Sequence, residues 1–321
     1  MSVKNGKSGR AKKVIAQRKV VDRCYVMTDE ELVSQGVTLY RVKATRSFSY
    51  VKEGDLGGWI EKLSNLGPDA WVDENAKVYG DAKVVGRALI AGNAQVYGSA
   101  RVDDAAVVTE NAKVFDRATV TGKAKIYGDA QIRDCGRVHD AAAIFGRARI
   151  LDSAFVYGDA RVYNNAVIRD CAGVGGKSTV FCDADAYGHC RIAGEVWVGG
   201  SARIGGKARI DGEARIGGNA HISGEAVIYC GHTCLDGDIV LDGPIITSTR
   251  SDGAVFTCCP SVDRGLYVNA KCRSFTLLQA REHWLKTRGG TKLGDESMEI
   301  LAHFQRMAAL RGWSGGAASV A

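Results

Sequence analysis

Proline is close to absent from this chain, three residues in 321, and no apolar run is long enough to span a membrane. The first residues are positively charged but lack the apolar stretch of a secretory signal, so the expected compartment is the cytoplasm. Ten cysteines form no C-x-x-C pair, with only Cys258 and Cys259 adjacent. Reduced, buried thiols are the expectation there. Against these absences stand forty glycines. So much glycine with so little proline suits a chain that turns many tight corners, not a disordered one.

The glycines fall on a grid. From Val72 to Thr233 a unit V-x-G-x-A-x repeats twenty-seven times without an insertion. Its first position is Val or Ile except at Ala186, and its fifth is Ala except at Gly136, Ser178, Cys190, Val196 and His232. In a segment such as Ala82-Lys83-Val84 alternate side chains face opposite sides of a strand, so Ala82 and Val84 point inward and Lys83 to water. The third position is Gly, Asn or Asp, with Glu74, Glu110, Cys182 and Cys230 as exceptions. The first three types tolerate the left-handed backbone that a corner requires. Two apolar sites per short period predict a solenoid whose coils complete one another's core. With three units per triangular coil, equivalent residues recur every 18 positions. Nine coils at roughly 4.8 Å each give a rod about 40 Å long.

Charge divides unevenly. Residues 1 to 23 hold eight Lys or Arg against Asp22 alone, which accounts for the whole formal excess of +7. This segment reads as a disordered, solubilising basic tail rather than a nucleic-acid arm. Residues 24 to 71 read as an N-terminal cap. In it, Thr28 to Glu31 has the form of a capping box that opens a short helix, and Thr38 to Ala44 alternates as a strand. The Asp55 to Glu61 stretch, D-L-G-G-W-I-E, leads into the first coil. After the repeats at 72 to 233, residues 234 to 321 read as a small α+β cap. Its strands are Ala254 to Cys258 and Leu266 to Ala270, its helices Phe275 to Lys286 and Glu296 to Leu310, and its end a frayed Gly/Ala-rich tail. A solenoid needs both ends covered because each exposes a sheet edge.

The stretch LYRVKATRSFSYVKEGDLGGWIEKLSNL, followed by AWVDENAKVYGDAKV, resembles the YdcK-like hexapeptide-repeat proteins of enteric bacteria, phages and prophages. The segment GLYVNAKCRSFTLLQAREHWLKT resembles the small domain that closes the phage-type members. The resemblance covers nearly everything after the basic tail and implies a single-stranded left-handed β-helix, an all-β solenoid. The best-known proteins of similar fold are trimeric acyltransferases, but likeness of fold says more about shape than about activity.

Acyltransferases of this fold use a histidine base and a loop that leaves the helix, because a proton must come off the incoming nucleophile. The twenty-seven units contain no loop, and the histidines do not occupy the first, inward position. Candidate catalytic residues reduce to His189, Cys171 and His139, each also readable as a surface residue. No H-x-x-x-x-H spacing occurs, which argues against the zinc site of a γ-type carbonic anhydrase.

Column arithmetic gives the remaining candidates. Asp116, Asp134, Asp152 and Asp170 share one corner of four successive coils, as a candidate hard-cation site or as plain corner residues with Arg133 and Arg169 offsetting repulsion. Lys83, Arg101, Arg137, Arg191 and Arg209 make a basic strip on one face, interrupted by Thr119, Phe155 and Gly173. Tyr127, Phe145, Tyr163 and Phe181 stack on another corner as a candidate interface. The expected function is a non-enzymatic, rigid binding or structural module of phage or prophage type. Its partner is an unidentified protein or a second copy, with nucleic acid less favoured, no membrane and no cofactor. The alternatives are a hexapeptide-class acyltransferase and a polyanion-binding protein.

Overall fold

The computed structural model describes residues 23–230, 234–235, 240–242, 245–261, 265–270 and 273–313. The basic tail apart from residue 23, His232 and the Gly/Ala-rich end lie outside the described residues.

The repeats form a β-solenoid of about nine turns. Its two-residue strands stack into three parallel sheets, one per face, and partners in neighbouring coils are 18 residues apart: Lys113 pairs with Gln131, Thr119 with Arg137 and Lys125 with Ala143. The hydrogen bonds run between coils, as from Arg101 N to the Ala118 carbonyl at 2.9 Å. Inward assignments hold throughout. First-position Val and Ile residues and fifth-position Ala residues from Val72 to Ile228 are buried, as are the exceptions Gly136, Ser178, Ala186, Cys190 and Val196. The corner residues take positive φ, for example +57° at Asp116 and +68° at Gly80.

The Thr28 capping box does not open a helix. Tyr25–Ser34 is a strand, β1, paired antiparallel with β2 (Val37–Ala44). The pairing slips between Met27 and Glu31, and there Thr28 Oγ1 donates to the Arg41 carbonyl while accepting from Glu30 N. The local capping signal is thus used to shape a bulge, and pairing with β2 overrides helix formation. β3 (Leu56–Ile60) pairs antiparallel with β2 and parallel with Lys77–Val78, so the leading segment covers the first repeat strand of that sheet. The adjacent glycines have a steric cause. A Cβ on Gly57 would lie 2.4 Å from the Val72 carbonyl oxygen, and one on Gly58 2.6 Å from that of Ala76. Ile60 and Leu66 occupy the inward column 18 residues before Val78 and Val84, so coil-like packing begins before Val72. Fully buried Asn65 fastens this start. Its side-chain NH2 donates to the Gly80 and Ala82 carbonyls, and its Oδ1 accepts from Lys62 N.

At the other end the register changes from 18 to 19. Ile210 pairs with Ile228, but Ile216 pairs with Leu235 and Ile222 with Leu241, so one extra residue enters between Cys230 and Cys234. A four-stranded antiparallel meander follows, Ile246–Thr249, Val255–Ser261, Gly265–Ala270 and Arg273–Thr276. Helices α1 (Leu277–Arg288) and α2 (Lys292–Leu310) complete it. This sheet has two buried faces. Cys259 and Tyr267 join the solenoid core, whereas Cys258 and Val268 pack with Trp284, Leu301 and Phe304. Strand alternation thus puts the adjacent cysteines in two different cores. α1 starts two residues later than its apolar pattern suggests, because Thr276 is its N-cap in a capping box with Gln279. α2 starts four residues earlier than expected, at the Thr291 cap. No described helix is long and apolar enough to cross a membrane.

Candidate functional site

The solenoid presents its side chains in columns, and hydrogen bonding explains the aspartate column. Asp116 Oδ2 accepts from Asp134 N at 3.3 Å, Asp134 Oδ2 from Asp152 N at 3.2 Å, Asp152 Oδ2 from Asp170 N at 3.1 Å and Asp170 Oδ2 from Gly188 N at 2.8 Å. Each carboxylate therefore ties its corner to the next coil. Arg133 and Arg169 stand 3.8 and 3.7 Å from Asp134 and Asp170, which offsets the repulsion along the column. Asp104, Glu110 and Asp140 make the same bond to Gly122, Gly128 and Gly158. Among the described residues no cluster of three or more His, Cys, Asp or Glu is arranged to hold a metal ion.

Lys83, Arg101, Arg137, Arg191 and Arg209 lie on one sheet as exposed outward residues. Arg101 is paired with Asp103, whereas the other four have no ion-pair partner among the described residues. On the corner between the other two sheets Tyr127, Phe145 and Tyr163 stack at centroid distances of 4.8 and 4.7 Å, nearly parallel, and Phe181 follows at 5.5 Å. Half-exposed Trp197 closes the stack edge-on to Phe181. The four rings are half-buried, so much of each is covered by its neighbours in the ladder.

The catalytic candidates are scattered. His139 Nδ1 lies 3.1 Å from Asp140, and its ring packs on Tyr157. The Gly158 amide, and then His139, hold the Asp140 carboxyl below the usual carboxylate range. Cys171 and His189 are both exposed, in equivalent positions of adjacent coils, with no bond between them among the described residues. The neighbouring Cys190 is fully buried, and burial pushes its thiol up to about 12, far from a reactive thiolate.

Sequence reasoning missed two arrangements. Tyr79, Tyr97 and Phe115 form a second stack, at 5.1 and 4.9 Å. Farther along that same corner Arg169 binds Asp185 through two contacts of 3.0 and 2.8 Å and lies over the Tyr187 ring at 4.8 Å, with Arg203 on the same ring at 5.6 Å. The Tyr187 hydroxyl reaches His221 Nε2 at 2.8 Å, so His221 is tied into this knot rather than free on the face. Beneath the ring is Gly205, where a Cβ would lie 2.2 Å from Tyr187 Cζ. Phe155 over Gly173, Tyr157 over Gly175 and Phe181 over Gly199 repeat the pattern. In all four an aromatic residue is followed 18 positions later by glycine, a signal that the 18-residue grid contains.

This arrangement of 18-residue register, positive-φ corners and inward Val/Ile and Ala columns has a counterpart among known families. Residues 154–170 match the YdcK β-solenoid repeat. No curated protein matches the chain. The matched stretch sits in the middle of the rod, and its pattern extends in register on both sides, so the chain is a β-solenoid whose repeat is similar to that of YdcK.

Proposed function

We propose that the protein is a non-enzymatic, rigid binding or structural module of phage or prophage type, whose partner reads columns of side chains on the solenoid. The observation that carries this reading is the unbroken 18-residue register of all three faces from Lys77 to Ile228. It fixes outward side chains at intervals of about 4.8 Å over the rod. Cys171 and His189 stand in equivalent positions of adjacent coils without a bond between them, His139 is paired with Asp140, and no catalytic constellation of nucleophile, base and orienting group is assembled among the described residues. The ladder ending in Trp197 and the basic strip are the surfaces a partner would contact.

Affinity capture from the native host tests this, with the parent and a Tyr163→Ala/Trp197→Ala variant as bait. A partner retained by the parent and lost by the variant is the expected result. Acyl transfer from acetyl-CoA to any acceptor would replace the reading with the acyltransferase alternative. Salt-sensitive retention on DNA that disappears in an Arg137→Gln/Arg191→Gln/Arg209→Gln variant would replace it with polyanion binding.

A further inference from the structure

The C-terminal cap contains a cleft of about 920 Å³ between its sheet and the α1–α2 turn. Four cations line it, Arg250, Arg273, Arg288 and Lys292, together with His283 and the edge of Trp284, and no carboxylate does. Arg250 is accounted for: it is buried, binds Asp252 through contacts of 2.9 and 2.8 Å, and donates to Ser297 at 2.8 Å. Arg273, Arg288 and Lys292 have no ion-pair partner among the described residues. On the rod, a concavity lined by Arg147, Arg149 and Arg169 also has Asp129, Asp183 and Asp185 in its lining, and Arg169 binds Asp185 at 2.8 Å. Arg273 Nη1 lies 3.0 Å from His283 Nε2. A guanidinium has no acceptor, so Nε2 accepts in this contact, and burial, then the charges of Arg273 and Arg288, hold the imidazole below its ordinary range.

Three unpaired cations around one concavity repel one another, and an anion seated among them would relieve that repulsion. Guanidinium groups offer paired N–H donors to tetrahedral oxyanions, while Lys292 supplies a mobile point charge. The volume exceeds that of a bare phosphate and falls in the range of small-ligand sites, on the order of 300 to 1,000 Å³. We infer that this cleft binds a small phosphoryl-bearing anion, held by Arg273, Arg288 and Lys292, as a site separate from any partner surface on the rod.

Calorimetric titration of the full-length protein with inorganic phosphate, pyrophosphate and acetate at constant ionic strength tests this. Phosphate and pyrophosphate should saturate one site, with acetate at least about tenfold weaker, and Arg273→Gln and Lys292→Gln should each weaken pyrophosphate about tenfold. Arg137→Gln, on the rod, should leave the affinity unchanged. In the unsubstituted protein the His283 ring protons should shift during the same titration at fixed pH, a readout that does not depend on any variant folding. Absence of saturation, unmoved His283 resonances, or equal affinity in Lys292→Gln and Arg137→Gln would overturn the inference.

Discussion

Replacing Gly205 with alanine should destabilise the solenoid only while Tyr187 is present. The added Cβ would lie 2.2, 2.3 and 2.7 Å from three atoms of the Tyr187 ring, so the ring must retreat by about 1 Å to reach ordinary contact. It is held on its other sides by the bond to His221 and by two guanidinium groups. Retreat would stretch the 2.8 Å Tyr187–His221 hydrogen bond past its useful range. Losing that bond costs about 0.5 to 1.5 kcal/mol, and weakened cation–π contact up to about 1 kcal/mol more. Against this, alanine on a backbone outside the positive-φ region restricts the unfolded chain and returns about 0.4 to 1 kcal/mol. The net expectation is a loss of about 1 kcal/mol for Gly205→Ala alone, and a gain of about 0.5 kcal/mol in a Tyr187→Ala background, a coupling near 1.5 kcal/mol. Urea unfolding of the parent, two single variants and double variant measures the cycle. Equal effects of Gly205→Ala in both backgrounds would refute the idea that ring and glycine form a unit.

The other expectations test the core, the closure, the thiols and the corner. Ala130→Leu forces three carbons into a fully buried column and should cost about 1 to 3 kcal/mol, whereas exposed Lys125→Leu should stay within about 0.5 kcal/mol in the same thermal melts. Removing residues 245–321 takes Cys259 and Tyr267 from the rod's core and should yield a self-associating product in analytical ultracentrifugation; a truncated protein of unchanged size would count against a capping role. In a native alkylation time course Cys171 should react first and Cys190 only on unfolding, since burial pushes the Cys190 thiol up to about 12. Asp134→Asn with Asp152→Asn keeps both the corner conformation and the acceptor oxygen, so its melting temperature should match the parent's; a calcium-dependent stabilisation of the parent, absent from the variant, would instead reveal a bound cation.

Much of this architecture is legible because the period acts twice. Within a unit it sorts inward from outward residues, which places inward columns such as Ile126, Ile144 and Val162 correctly from the letters alone. Across three units it aligns Tyr127 with Phe145 and Asp116 with Asp134. The ends resist the same treatment because their determinants are not periodic. Thr28 carries a local helix signal that nonlocal pairing with Arg41 and its neighbours defeats. Asn65 looks like any polar turn residue until two carbonyls of the next coil are seen to need its amide. The single residue added between Cys230 and Cys234 is invisible to a fixed grid, yet with it Leu235 and Leu241 still pair with Ile216 and Ile222.

The candidate surfaces were legible as positions but not as energies. Four aspartates in register suggest mutual repulsion, or a cation to relieve it. What the letters omit is that the corner residue 18 positions on turns its amide toward the carboxylate, so the donor comes from the backbone that the corner itself creates. The same reasoning separates the rod from its C-terminal cap. On the rod, some cations find an acceptor in the neighbouring coil, as in Arg169 with Asp185 or Lys207 with Glu225, while exposed Arg137 and Arg191 have no ion-pair partner among the described residues. The cap has no repeat to supply such partners. There Arg273, Arg288 and Lys292 converge on a cleft without a carboxylate in its lining. Where cations of the rod line a concavity, as Arg147, Arg149 and Arg169 do, Asp129, Asp183 and Asp185 line it with them, whereas the cap cleft has no carboxylate in its lining, and the anion site inferred for the cap rests on that contrast.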